Sequence, residues 1–435
     1  MEYDMSKGSH YRRRKSRGRV LVWSLLCLLA IGAVLYAARD QLLPEPGPAA
    51  PASSAAASSE EASSPPAASS AAPSLQESEP EPEPVVTTLR IAAAGDNLIH
   101  DGLYLQAQRR AQANGAEGYD FAALYQHVAP FFSGFDFCVV NQETLLSDEL
   151  APSSYPRFCT PGDMGRHLYS LGFRVFFLAN NHIYDQGAEG IASTRRFWAS
   201  MPEDAVAAGL YAGEEDYSSF PIQQVNGVSI AWLAYTDHTN GLPTPQGAEA
   251  NVIYTSQEDV IQQQIVQAKE QADLVAVSVH WGTENTHQVN DSQRQLAQKL
   301  ADWGADIVIG THPHVVQPIE MLTGAEGQQV PVAYSLGNFA SAQDRIDNLI
   351  GIALTFTVTK TEQPGGESQT EISGLQAVPL VMHYDAYYRD MRLYLFRDYT
   401  DELAASHGVG GVTRAYIQSV LEESIGEEYL LLDPA

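Results

Sequence analysis

The chain has 435 residues, enough for more than one domain, and sets 53 acidic side chains against 25 basic ones, a formal net charge of −28. That balance speaks against a nucleic-acid binder, which needs a basic patch, and an anionic substrate would depend on local positive charge from a metal or histidines. Three cysteines exclude a disulfide framework.

Residues 1–19 hold seven basic side chains and only two acids, Glu2 and Asp4. Val20–Ala37 is then uncharged, and apolar but for Ser24. As a helix it spans about 27 Å, enough for a bilayer core. The pattern predicts a cytoplasmic tail over 1–19, a single transmembrane helix over 20–37 and a main domain outside the cell membrane. A cleaved signal peptide is the competing reading, but Leu35-Tyr36-Ala37 fits the small-x-small cleavage pattern poorly. Pro44 to Pro84 is almost entirely Pro, Ala, Ser and Glu, without an aromatic residue, Ile or Val. Such a stretch cannot bury enough surface to repay ordering, so 38–84 is expected to be a disordered, semi-extended stalk.

From Val85 the composition is that of a folded domain. Apolar runs read as strands, and each leads into polar residues. Leu89–Ala94 leads to Asp96, Phe135–Val140 to Glu143, and Arg174–Leu178 to Asn180-Asn181-His182 with Asp185 just beyond. Leu274–Val279 leads to His280 and Glu284, and Ile307–Ile309 to Gly310-Thr311-His312-Pro313-His314. Near-continuous apolar runs imply strands covered on both faces. Thr160-Pro161 reads as the start of a helix over Met164–Leu171, and Ser256–Gln271 and Asp291–Trp303 read as further helices. The alternation predicts an α/β fold with right-handed crossovers, in which ligands gather at the strand ends. Those five ends are expected to share one layer. Val228–Tyr235 and Pro331–Ser335 are further strands, with Asp237 and His238 read as loop residues. Ile352 to Val358 alternates with period two, as in a strand with one dry face. With Ile372–Met382 it is expected to form an antiparallel pair in a second sheet. The tail, 386–435, reads as a helical extension to a domain spanning 85–385. Cys138 and Cys159 are open to either pairing or burial as free thiols.

Two imidazoles flanking a proline just past a strand, as at His312 and His314, are not what core packing demands, and a metal ion accounts for them. The ordered motifs resemble the CapA-type poly-γ-glutamate (capsule) biosynthesis proteins of the calcineurin-like metallophosphoesterase superfamily. They are Ala94-Gly95-Asp96, Asn141-Gln142-Glu143-Thr144, Ala179-Asn180-Asn181-His182, His280-Trp281-Gly282-x-Glu284, the His312/His314 loop and Tyr334-Ser335-Leu336-Gly337-Asn338-Phe339. The resemblance implies a two-sheet sandwich flanked by helices. It implies metal ligation by Asp96, Glu143, Asn181, His280, His312 and His314, with His182 as the acid. Asp185 is read as orienting His182, or alternatively as a helix cap. Glu284 and Asn338 are expected to support the ligands. The superfamily opening is Asp-x-His, and here Leu98 stands two residues after Asp96, with His100 two further on. That departure leaves one or two ions open.

The donor set lacks thiolate and suits Mn, Fe or Zn. The expected activity is metal-dependent hydrolysis of a phosphoester or of an anionic γ-linked glutamyl chain, with a polymer synthase or export complex as partner and no nucleic acid. The alternative is a tethered assembly or export factor that binds polymer without turnover.

Overall fold

The computed structural model describes residues 83–434, and the tail, apolar span and nearly all of the stalk expected over 1–84 lie outside them. No helix among the described residues is long and apolar enough to cross a membrane.

Two mixed sheets carry the fold. The first runs β16 (Arg392–Leu395), β15 (Ser368–His383), β14 (Ile350–Glu362), β1 (Val85–Asn97), β2 (Phe137–Asn141), β5 (Phe173–Phe177) and β6 (Val206–Ala208), and β13 (Asn338–Ala340) also pairs with β1. The second runs β11 (Ile319–Thr323), β12 (Gln329–Ala333), β10 (Ile307–Thr311), β9 (Leu274–His280), β8 (Val228–Thr236) and β7 (Ile222–Val225). Each has a parallel block, β1-β2-β5-β6 and β8-β9-β10-β12; antiparallel strands flank the first on the β1 side only and the second on both sides.

The unbroken apolar runs follow from this layering. In β8, Ile230, Trp232 and Ala234 face the first sheet's core, while Ala231, Leu233 and Tyr235 belong to a separate cluster. Trp232 lies 6.0 Å from the rings of Phe137 and Phe177 on the opposite sheet. The separate cluster is closed by helices Glu258–Gln271 and Asp291–Trp303, through Ile261, Ile265, Leu296 and Leu300. Strands dry on both faces need no polar alternation.

Three expectations are corrected. The β14–β15 hairpin extends the first sheet and does not begin a second; the second is built by β8, β9 and β10. The strand ends bearing ligand-type residues therefore come from two sheets. Nor does β14 have one dry face: Ala353 and Thr355 are buried like Ile352 and Leu354, because the sheet is covered on both sides there. Thr160–Pro161 is no helix start but a short strand, β4, paired with β3 (Leu146–Ser147), and the helix begins at Asp163. The tail supplies strand β16 as well as helices Asp401–Ser406 and Arg414–Ser424. Cys138 and Cys159 are free and buried, and burial pushes their thiols up to about 12 and about 11.

One segment joins the sheets. The Leu336 N–H donates to the Gly310 carbonyl at the end of β10, and its carbonyl accepts the Ile352 N–H of β14. The Gly337 carbonyl accepts the Asp96 N–H. Approach is so close that a Cβ at Gly310 would collide with the Tyr334 carbonyl, and one at Gly95 with the Gly337 carbonyl.

The tail is held by two buried imidazoles. His407 accepts the Val409 N–H on Nδ1 and turns Nε2 to the Met382 carbonyl, and His383 meets the Tyr399 hydroxyl. A second proton on His407 would face the Val409 N–H. Burial, with help from His383, lowers the His407 pKa from 6.5 to about 4. The unfolded chain binds that proton at higher pH than the folded one. The stabilisation is therefore complete above pH 6.5 and lost as pH falls towards 4. His407→Gln should lower the Tm near neutrality, and the gap from wild type should narrow as the pH of the melt is lowered. A gap independent of pH would overturn this account.

Candidate metal centre

The carboxyl ends of β1, β2, β9 and β10 meet beneath the joining segment. Asp96, at the end of β1, is fully buried. Its Oδ1 accepts Asn141 Nδ2 at 2.7 Å and its Oδ2 accepts the His312 N–H at 3.2 Å. His314 Nδ1 lies 3.2 Å from the same Oδ2 and 3.1 Å from Asn338 Oδ1. His280, the last residue of β9, is set by Thr311 Oγ1 at 3.0 Å from Nδ1, while its Nε2 is 3.1 Å from Asn181 Oδ1. The Nε2 atoms of His280 and His314 both come within 3.7 Å of Glu143 Oε1.

The His312-Pro313-His314 loop is strained. His312 has φ +97 and His314 φ +58, a region that costs a non-glycine residue about 1–3 kcal/mol. Specific bonds hold it. Asp96 takes the His312 N–H, Asn285 donates to the Pro313 carbonyl at 2.8 Å, and Asn348 Nδ2 donates to the His314 carbonyl at 3.2 Å. The strain turns the His312 ring to 4.7 Å from that of His280 and 4.9 Å from that of His238.

Electrostatics follow from burial. Desolvation, then the neighbouring imidazoles, push His280 and His312 well below the usual histidine range. Burial also pulls on His314, but Glu143 and Asp96 outweigh it and bring its pKa up to about 9. Burial lifts Glu143 well above the usual carboxylate range.

The residues fit a divalent cation. Glu143 is fully buried, yet neither carboxylate oxygen has a hydrogen-bond partner, and His312 Nδ1 and Asn141 Oδ1 are likewise unpartnered. Leaving such groups bare is costly, and a cation would satisfy them. Ligand atoms gather in three triads, each within 4.8 Å: Asp96, Glu143 and His314; Glu143, His280 and His312; Glu284, His312 and His314. Asn181 adjoins the second through His280. Hence all six residues expected to ligate sit around one buried cup.

His182 stands at its edge, 7% exposed. Its Nδ1 is 2.8 Å from Asp185 Oδ2, which also accepts the Phe158 N–H at 2.7 Å. Asp185 does not cap the next helix, whose N-cap is Gln186. Phe158 packs edge-on against both His182 and His100. Asn97 is committed elsewhere, donating to Gln142 Oε1 and accepting from Tyr125 Oη. Sequence reasoning missed His238, which reads as an ordinary loop residue after β8, and Phe158, which carries no polar signal. It also gave Glu284 only a supporting part.

Comparison with known proteins agrees with the motifs. The profile of the bacterial capsule synthesis protein PGA_cap family matches residues 90–343. The chain is 34% identical over 231 residues to the PGA biosynthesis protein CapA of Bacillus subtilis, covering 51% of this chain and 57% of that one. It is 33% identical over 244 residues to the capsule biosynthesis protein CapA of Bacillus anthracis, covering 51% and 54%. The match thus spans about half the length of these curated relatives. Among solved structures, the Haemophilus influenzae NAD nucleotidase aligns with a TM-score of 0.39 at 12% identity, covering 80% of this chain and 58% of that one. A hypothetical protein from Thermus thermophilus aligns at 0.38 and 16%, covering 66% and 99%.

If the bare carboxylate of Glu143 awaits a cation, binding must stabilise the fold. Mn²⁺ at a hundredfold excess over its Kd should add about 2.7 kcal/mol, reversed by EDTA. Thermal melts of Glu143→Gln should show little of that gain; an equal gain in the variant would remove Glu143 from the site.

Proposed function

The chain belongs to the PGA_cap family of bacterial capsule synthesis proteins, and we propose that its buried centre is the active site of a metal-dependent hydrolase serving an anionic surface polymer. One observation carries this reading: an unpartnered, fully buried Glu143 faced by converging imidazoles, beside a more accessible histidine already paired to an aspartate.

Asp96, Glu143, Asn181, His280, His312 and His314 would hold the cation, of Mn, Fe or Zn type. When bound it would supply Lewis-acid polarisation of a phosphoryl or carbonyl oxygen and a water made acidic enough to attack. The protein's own residues do the rest. Asp185 fixes the ring of His182 through Nδ1, leaving Nε2 to deliver a proton to the departing oxygen or nitrogen as the P–O or C–N bond breaks. Phe158 walls one side of that ring and, through its N–H, keeps Asp185 in place.

The substrate class is a phosphoester or a γ-linked glutamyl chain. The names of relatives point to polymer synthesis: a PGA biosynthesis protein in Bacillus subtilis and a probable polyglutamine synthesis accessory protein in Mycobacterium tuberculosis. A chain of net charge −28 would repel such a polymer everywhere but at a cationic centre. A polymer synthase or export complex is the fitting partner. In this proposal the span at 20–37 anchors the domain outside the cell membrane. Protease added to intact cells should then digest the domain; full protection would overturn that placement.

His182→Asn tests catalysis. It should keep fold and metal content while lowering kcat by about 10²–10⁴-fold in a screen of phosphoesters and poly-γ-glutamate. Unchanged turnover would remove His182 as the proton donor, and unchanged polymer export by cells carrying the variant would leave a binding role in place of hydrolysis.

A further inference from the structure

Away from the cup, most cations on the described surface are paired with a carboxylate, as Arg166 is with Asp148, Arg196 with Glu149 and Lys299 with Glu258. Arg109 and Arg389 are exceptions. Both are exposed, and among the described residues neither guanidinium makes an ion pair or a hydrogen bond. They line one groove of about 490 Å³, together with Gln106, Arg110, Ala113 and Asp390. Asp390, the acid on that lining, is already engaged, its Oδ1 accepting Arg392 Nε at 2.8 Å. Arg110 turns towards Asp120, 3.7 Å away, and its Nε is buried without a hydrogen-bond partner. Three guanidiniums thus line a single groove on a chain whose formal charge is −28.

The walls of the groove are helix Asp101–Ala113 and the loop over 385–391, and they are locked to each other. Gln106 Nε2 donates to the Met391 carbonyl at 3.0 Å, and its Oε1 accepts the Met391 N–H at 2.7 Å. One turn earlier the helix comes so close that a Cβ at Gly102 would strike the Met391 side chain. Asp385 gathers the loop, its Oδ1 accepting the N–H groups of Tyr387 and Arg389 at 2.9 and 2.8 Å. Tyr388 and Asp390 hold φ +53 and +52, which a non-glycine residue adopts only at a cost. Tyr387 is 73% exposed, and the Arg389 guanidinium lies 5.0 Å from its ring centre. The loop that carries Arg389 is therefore set before any ligand arrives, which lowers the ordering cost of binding.

The cations of this lining are all arginines. A guanidinium fork meets a planar carboxylate with two parallel hydrogen bonds, which an ammonium cannot do. A lone carboxylate has no use for forks spread over a helix and a loop, whereas a strand with repeated carboxylates does. A bilayer surface is flat and does not follow a concave groove. The position also suits a strand. His100, whose ring packs on Phe158 at the edge of the cup, immediately precedes the helix. Arg109 stands about 13 Å along the axis from it, a span that about four residues of extended polyamide cover. We propose that this groove docks a strand of an anionic polycarboxylate polymer and holds it outside the cup. The proposal goes beyond the hydrolase reading and needs neither a cation in the cup nor turnover there.

The test is titration of fluorescein-labelled poly-γ-glutamate with the full-length chain, followed by fluorescence anisotropy in EDTA so that no metal contributes. Wild type should bind, and more weakly as salt is raised. Arg109→Gln combined with Arg389→Gln should raise the Kd at least tenfold and keep the wild-type melting profile. Arg109→Gln alone, at an exposed helix position, should raise the Kd about threefold or more, and it decides the matter if the loop variant unfolds. An unchanged Kd in these variants, or no binding by wild type, would overturn the proposal whatever the metal content or turnover of the cup. Wild type that ignores the polymer but sediments with phosphatidylglycerol vesicles through the same arginines would also overturn it, making the groove a membrane contact.

Discussion

The centre depends on the short segment that ties one sheet to the other. Leu336 spends its N–H on Gly310 and its carbonyl on Ile352, and the Gly337 carbonyl receives Asp96. These bonds fix the end of β1 against the end of β10 with no room for side chains between, which is why glycines stand at 95 and 310. Asp96 and His312 can then bond directly although they belong to different sheets. Without that clamp, each sheet would present isolated polar ends and no common cup.

The clamp also explains how the histidine turn tolerates its backbone. A left-handed histidine persists only where surrounding structure over-determines it. Here the determinants are polar: buried Asp96 on one N–H, and half-buried Asn285 and buried Asn348 on two carbonyls. Asp96, which holds the His312 N–H, also lies beside the unpartnered Glu143, and His312 itself carries an unpartnered Nδ1, so strain and unmet polar demand coincide. Such coincidence marks a site shaped for a ligand, because neither feature lowers the energy of the bare fold.

Much of this was legible in the residues. Strand runs such as Leu274–Val279 and Ile307–Ile309 fell within a residue or two of the observed strands, since buried parallel strands write themselves as unbroken apolar runs. Ligand candidates were legible because His, Asp and Asn directly after such runs have no packing reason to be there. Sheet membership was not legible. Period-two alternation in Ile352–Val358 says that a strand has two faces, but not which neighbour covers each, and the covering here comes from distant chain. His238 and Glu284 were obscured for a related reason. A loop residue's importance is set by what the loop is tied to, and the Asn285–Pro313 bond is invisible in either stretch alone.

The bond from His312 to Asp96 spans 216 residues of chain. No emerging fragment that stops short of the histidine turn can coordinate anything through this cup. Any ion the cup takes would therefore be bound only after the chain as far as the histidine turn has been made, and its identity would reflect the surroundings at that stage as much as the donors that receive it.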